Sequence, residues 1–296
     1  MFFDLPVCTC AGAAALRIMN GADTGEILMT SAHGWYLLFG DELVLLCDED
    51  KGRISFALEF ADFEKHFGRA RSLVGEYVRF RGGRLILPGA NICIPRDILS
   101  ASLPRPAKLS VLLSRDEELC RLVSDSGKGF MPKLLPYRDS IINAAPIWEP
   151  APNDPVALRA SQRLMAFFYA LRSGRQESLT DALGKLLGLG PGLTPSTDDW
   201  VVGFLYAVRP YINPHLLNKI CQAVCQSMVS ATNRISAAYL ECACEGGSFE
   251  IMEELLSAGN TEAAERLLFI GSSSGSDMLT GLLFAIKYIE LLGGSK

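Results

Sequence analysis

Two adjacent acids, Asp198 and Asp199, follow the glycine-rich run Gly188-Leu189-Gly190-Pro191-Gly192-Leu193-Thr194-Pro195-Ser196-Thr197 and precede the apolar stretch Trp200 to Val208. Glycines at alternate positions carry no Cβ, so the backbone there can take positive φ and approach another group closely. Thr194 before Pro195, or Ser196 with Asp199 three residues on, predicts a helix start. Free N–H groups at such a start attract an anion. Bare carboxylates repel one, so the two aspartates need a role of their own. They could share Mg²⁺ with a phosphate, which leaves that ion as the one cofactor in view. They could accept hydrogen bonds from an –NH₂ group while the loop N–H groups hold oxygens. A carboxamide or carbamoyl compound presents both polarities. Or they only cap the helix, where a negative charge contributes about 0.3–1 kcal/mol.

Two familiar phosphate loops do not fit. No lysine follows the glycines as a Walker loop requires, and Leu193 stands where the dinucleotide fingerprint needs its third glycine. The stretch before the loop, Leu179 to Leu187, reads as helix rather than strand. The run does have a counterpart. Ser196-Thr197-Asp198-Asp199-Trp200-Val201-Val202-Gly203-Phe204-Leu205-Tyr206-Ala207-Val208 aligns without a gap on Ser274-Gly275-Ser276-Asp277-Met278-Leu279-Thr280-Gly281-Leu282-Leu283-Phe284-Ala285-Ile286. Both read Ser-x-x-Asp-x-x-x-Gly, and Ser272 and Ser273 lead the second copy as Thr194 leads the first. Self-similarity marks a repeated structural unit, here a pair of helix starts facing one pocket. Ser-x-x-Asp before an apolar run is also an ordinary capping box, which every helix can use.

The elements that must position these residues are helical. Val156 to Leu171, Leu179 to Leu187, Leu216 to Glu245, Phe249 to Ala258 and Glu262 to Phe269 carry apolar residues at helical spacing. Thr232 and Ser236 lie four apart, on one face if Leu216 to Glu245 is continuous. Residues 16 to about 115 read instead as short strands: Ile27 to Thr30, Trp35 to Phe39, Leu43 to Cys47, Tyr77 to Arg81, Arg84 to Leu87 and Asn91 to Ile94. Turns punctuate them at Gly40-Asp41-Glu42, Asp48 to Gly52, Pro88-Gly89 and Gly82-Gly83, the last a hairpin signal. Ala61 to Gly68 predicts a short helix. From 116 to 155, repeated prolines and glycines leave room for one or two helical turns at Glu117 to Val123, and Lys128 and Arg138 read as solvated linker charges. The fold class expected is α+β: an N-terminal antiparallel, barrel-like β-rich domain (1–115), a connecting segment (116–155) and a C-terminal α-helical domain (156–296) carrying the site.

Composition narrows the function classes. The chain has 296 residues, 49% of them hydrophobic, and a net charge of −5 without a lysine- or arginine-rich run. Nucleic-acid affinity rests on cations that neutralise phosphates, so that class is excluded. Trp200 to Val208 falls far short of the ~20 apolar residues that cross a bilayer. No membrane partner is expected, and the start of the chain makes a poor signal peptide, which points to the cytoplasm. Nine cysteines, without a Cys-x-x-Cys pair, read as free thiols, and Cys221 and Cys225 share a helix face with no histidine nearby. Three scattered histidines favour no triad.

The run from Gly190 to Asp199, then Thr232, Ser236, Tyr239, Leu240 and Gly246, then Gly271, Ser274, Gly275, Asp277, Leu279 and Gly281 resembles the AllH-like family, most strongly over residues 185–290. That family, first known as a domain of unknown function, includes a subunit of oxamate carbamoyltransferase from anaerobic allantoin use. The chain departs from it at Thr197, where members often carry Gly or His, and at Ser272, where some carry His. The resemblance implies a carbamoyltransferase-type subunit, acting between oxamate and phosphate in company with other subunits or further copies of itself. Its catalytic groups would be Asp198, Asp199 and Thr194. Gly190, Gly192, Ser196, Thr232, Ser236, Ser272, Ser274 and Asp277 would bind the small anionic substrate. A non-catalytic ligand-binding or assembly subunit, and a Mg²⁺-dependent phosphotransferase, are the competing expectations.

Overall fold

The computed structural model describes residues 6–49, 53–68, 73–94, 106–145 and 154–293. The turn at Asp50-Lys51-Gly52 and Pro146, Pro150 and Pro152 of the connecting stretch lie outside them. The chain divides into two compact units, Met1–Leu103 with Gly247–Glu250, and Pro104–Gly246 with Ile251–Lys296.

The first unit is a barrel-like sheet of eight strands. In chain order these are β1 (Cys8–Ala11), β2 (Thr24–Thr30), β3 (Gly34–Phe39), β4 (Glu42–Asp48), β5 (Ala57–Phe60), β6 (Tyr77–Arg81), β7 (Arg84–Leu87) and β8 (Ala90–Cys93). They lie in the order β1-β5-β4-β3-β2-β6-β7-β8. The pairing is antiparallel except between β4 and β5, which run parallel and so depart from the wholly antiparallel expectation. Helices α1 (Ala13–Gly21) and α2 (Phe63–Phe67) belong to the same unit. Gly82 and Gly83, at φ 60° and 75°, make the two-residue turn between β6 and β7, because a hairpin turn of that twist needs positive φ at both central residues. Its core includes Trp35, Phe60, Phe63 and Phe67, with Phe67 edge-on to Trp35 and Phe60.

The second unit is helical: α3 (Leu109–Ser126), a 3₁₀ helix (Met131–Tyr137), α4 (Arg138–Ile142), α5 (Pro155–Ser173), α6 (Gln176–Leu186), α7 (Ser196–Val208), α8 (Pro214–Ala231), α9 (Arg234–Glu245), α10 (Glu250–Ala258), α11 (Thr261–Leu268) and α12 (Ser274–Gly293). Helix α3 is far longer than the one or two turns expected near residue 120. Its Leu112, Leu119 and Val123 are buried, and this spacing of seven and four keeps one face inward. Arg138 is not a solvated linker charge: it pairs bidentately with Asp116 at 2.8 and 2.7 Å in a largely buried site. The helical stretch expected over Leu216 to Glu245, whole or broken, is two helices. Thr232 turns extended, at φ −138° and ψ −179°, and Asn233 starts α9 by accepting the Ile235 and Ser236 N–H groups.

Every residue of α7 is buried, as are those of α12 from Gly275 to Ile286, because both helices are apolar all round after their first turns. They cross at glycines. A Cβ on Gly203 would lie 1.9 Å from the Met278 carbonyl oxygen, and one on Gly281 would lie 2.0 Å from that of Trp200. Gly203 matches Gly281 in the aligned copies, and Trp200 matches Met278, so the crossing is a reciprocal contact of like with like. Trp200 stacks on Phe204 at 5.1 Å and meets Phe167, Phe168 and Phe284 edge-on, which fixes the depth of the helix start.

Candidate functional site

The crossing brings the two helix starts together. Neither the Thr194 nor the Ser196 cap expected from the sequence forms: Pro195 occupies the cap position of α7, with no side-chain cap bond. The hydroxyls are used across the crossing instead. Thr194 Oγ1 donates to Asp199 Oδ2 at 2.8 Å and lies 3.0 Å from Ser274 Oγ of α12. In the opposite sense Ser196, from α7, lies against Asp277 of α12.

The glycine loop folds back over the start of α7. The Leu189 carbonyl takes the Thr197 N–H at 3.1 Å, and the Asp198 and Asp199 N–H groups go to the Pro195 carbonyl. Those first-turn donors are therefore spent within the chain. Gly190, at φ 124°, presses on Ser196 so closely that a Cβ would lie 2.7 Å from its backbone nitrogen. Gly192, at φ 109°, is exposed at the rim, where the neighbouring Leu193 carbonyl accepts the Asn233 amide at 2.7 Å.

Asp198 has no free oxygen for a ligand amide. Its Oδ1 accepts the Gly188 N–H at 2.7 Å, and its Oδ2 accepts the hydroxyls of Thr232 and of Ser236, the latter at 2.7 Å. Burial raises its pKa against these three donors. Thr232 and Ser236 thus meet at one carboxylate although they sit on different elements. The matching residue of α12, Ser276, does the same job with a hydroxyl, accepting the Lys128 N–H at 2.9 Å. Each copy pins a glycine-bearing loop, Gly188–Gly190 in one and Gly127-Lys128-Gly129 in the other.

The remaining two acids are the open chemistry of the site. Burial raises Asp199 well above the usual carboxylate range, opposed by Thr194 and Ser274 and assisted by the charges of Asp277 and Asp198. Its Oδ1 is buried without a hydrogen-bond partner among the described residues. Burial pushes Asp277 up to about 7. Ser196, Ser273 and the Met131 N–H surround that carboxyl and restrain the rise, yet neither oxygen completes a hydrogen bond with them. A buried acceptor left open costs about 1–3 kcal/mol. Ser274 is half-buried beside them, whereas Ser272 is exposed.

Sequence reasoning missed Ser273, Ser276 and the Gly127–Gly129 loop. A Cβ on Gly129, at φ 85°, would lie 3.0 Å from Ser273 Cβ and 3.4 Å from Asp277 Oδ1. The signal was the Gly-Lys-Gly triplet, which reads equally well as a linker. No group of three or more His, Cys, Asp and Glu side chains among the described residues is arranged to hold a metal ion. No helix among the described residues is long and apolar enough to cross a membrane.

A family model that matches part of the chain describes a carbamoyltransferase subunit. Residues 186–286 match the family model described as oxamate carbamoyltransferase subunit AllH, the same family that the motifs resemble. The matched span holds the glycine loop and both Ser-x-x-Asp copies. No solved structure matches the chain.

Proposed function

We propose that the chain is a carbamoyltransferase-type subunit that binds a small anionic carboxamide or carbamoyl compound, such as oxamate or carbamoyl phosphate, at the paired starts of α7 and α12. The observation that carries this reading is the pair of buried, incompletely bonded carboxyls, Asp199 and Asp277, set among hydroxyls from both helices. An amide –NH₂ supplies the donors that these oxygens lack, and the hydroxyls of Thr194, Ser274 and Ser196 serve a carbonyl or carboxylate oxygen.

Carbamoyl transfer to oxamate breaks the C–O bond between the carbamoyl carbon and phosphate and forms a C–N bond to the amide. The amide nitrogen gives up one proton. A carboxyl with a pKa of about 7 is matched to take it near neutral pH, and Asp277 is that group. Holding the two reactants in register across the helix pair supplies the orientation. Asp198 acts by positioning the loop.

The test is oxamate-dependent phosphate release from carbamoyl phosphate, measured on the chain combined with candidate partner subunits. Asp277→Asn in that complex is expected to lower kcat by about 10²–10⁴-fold, the usual weight of a general acid–base group. Full activity in Asp277→Asn, or no oxamate-dependent release from any combination containing this chain, removes the reading.

A further inference from the structure

The loop that meets the start of α12 carries a charge that the proposed reaction does not use. Helix α3 ends at Ser126, and the Gly127 N–H returns to the Val123 carbonyl at 2.8 Å. The chain then passes the first turn of α12. The Lys128 N–H donates to Ser276 Oγ at 2.9 Å, and Gly129, at φ 85°, comes so near that a Cβ would lie 3.4 Å from Asp277 Oδ1. Two residues on, the Met131 N–H faces the same carboxyl. The backbone of Lys128 is therefore held at the helix start, while its side chain takes no part in that hold.

Lys128 is exposed, and no ion pair or hydrogen bond engages its ammonium among the described residues. The next cations along the chain, Lys133 and Arg138, are committed to Asp154 and Asp116. On the inner side of the loop, Asp277 has no exposed surface, and neither of its oxygens completes a hydrogen bond among the described residues. A free cation and an unbonded acid thus flank one short stretch of backbone. An acid repels an anion, so an anionic compound bound beside Asp277 needs a positive group within reach. The hydroxyls of Thr194, Ser274 and Ser196 suit a carbonyl or a carboxylate, but none of them balances the charge of a phosphate. A lysine ammonium does, as a compact point charge on a flexible four-carbon stem.

We propose that Lys128 is the phosphate-binding residue of this centre. Its ammonium holds the phosphate end of carbamoyl phosphate at the rim of the paired helix starts, with the carbamoyl carbon inward toward Asp277. The ligand is taken from the carbamoyl reading, on which this assignment rests. Lys128 holds the phosphate before and after the C–O bond breaks, so its weight falls on binding rather than on turnover.

Titration calorimetry of the full chain with inorganic phosphate at low ionic strength is the first measurement. Lys128→Gln is expected to weaken phosphate binding by about ten-fold, and Lys128→Arg, which keeps the charge, to recover most of it. The bond to Ser276 uses the Lys128 backbone, so both variants retain it, and thermal unfolding checks that both are folded. Lys133→Gln, which breaks only the pair with Asp154, is expected to leave phosphate binding unchanged. In the complex with partner subunits, Lys128→Gln should raise KM for carbamoyl phosphate by a like factor and leave kcat and KM for oxamate nearly as they were. No phosphate binding by the parent chain, equal affinity in Lys128→Gln, or an equal loss in Lys133→Gln overturns the assignment even where carbamoyl transfer is measured. A rise in KM for oxamate instead of carbamoyl phosphate also overturns it, by putting the carboxylate at Lys128. Phosphate binding that Lys128→Gln weakens, without oxamate-dependent turnover in any complex, keeps Lys128 as the phosphate-binding residue and removes the carbamoyl reading.

Discussion

At the start of α7, Asp199 receives the Thr194 hydroxyl on one oxygen and lies beside Ser274. At the matching place on α12, Asp277 completes no hydrogen bond with the groups around it. The two copies agree in nearly everything else: the glycine at the crossing, the serine lent to the other helix, and the first-turn residue that pins an incoming loop. Each acid has two hydroxyls beside it, Thr194 and Ser274 at Asp199, Ser196 and Ser273 at Asp277. Thr194, half-buried, completes its bond to Asp199, whereas the matching Ser272 is exposed and Asp277 completes none. One duplicated frame therefore presents one acid with a single bonded oxygen and one with none, both raised by burial.

The sharpest way to break this contrast is kinetic. In the reconstituted complex, Asp277→Asn should lower oxamate-dependent phosphate release by about 10²–10⁴-fold and Asp199→Asn by clearly less. Equal losses would erase the distinction between the copies.

The next effect is on stability against pH. Folding raises the Asp277 carboxyl from its ordinary 3.8 to about 7, so the folded state binds a proton that the unfolded chain has released. Its contribution is full below about pH 4 and declines as pH climbs to about 7, by up to about 1.4 kcal/mol per unit. Asp198 and Asp199 are shifted in the same direction, so their slope remains when Asp277 is replaced. Urea unfolding between about pH 5 and about pH 8 should show a flatter profile for Asp277→Asn than for the parent chain. Parallel profiles would mean that Asp277 keeps its ordinary pKa.

The crossing offers a comparison in which the copies should behave alike. Gly203→Ala and Gly281→Ala each drive a methyl into a carbonyl of the opposite helix. Each is expected to cost about 1–3 kcal/mol by overpacking, and the two costs should agree closely in chemical denaturation. If one substitution proves harmless, the contact is not reciprocal. The smallest expected effect is Ser276→Ala, which leaves the Lys128 N–H without its acceptor and should cost about 1 kcal/mol in the same experiment. No loss would show that Ser276 does not hold the Gly127–Gly129 loop.

Much of this frame is legible in the sequence. The ungapped match of Ser196–Val208 to Ser274–Ile286 foretold two like helices, and Gly82-Gly83 foretold its hairpin, because repeats and turn glycines are local signals. What escaped was long-range partnership. Ser-x-x-Asp is the spacing of a cap within one helix, and nothing in that spacing says that Ser274 lies against Asp199 of the other helix, or Ser196 against Asp277. Asp198 reads as a reacting group because it is an extra charge, and the sequence does not announce its three donors, which come from Gly188, Thr232 and Ser236. Strands β1 and β5 went unread for a related reason. Four residues carry too little alternation to stand out, and β5 is specified by parallel pairing with β4 rather than by a turn.

The exchange of serines across the crossing also has a consequence for synthesis. Helix α7 leaves the ribosome with its acid already in place, but the hydroxyl lent by Ser274 arrives only after α8 to α11 have been made. Until α12 emerges, the first helix has an apolar surface and a lone carboxyl with no counterpart. A nascent chain halted before residue 274 would hold all of the first motif but neither Ser274 nor Asp277, the groups that meet it across the crossing.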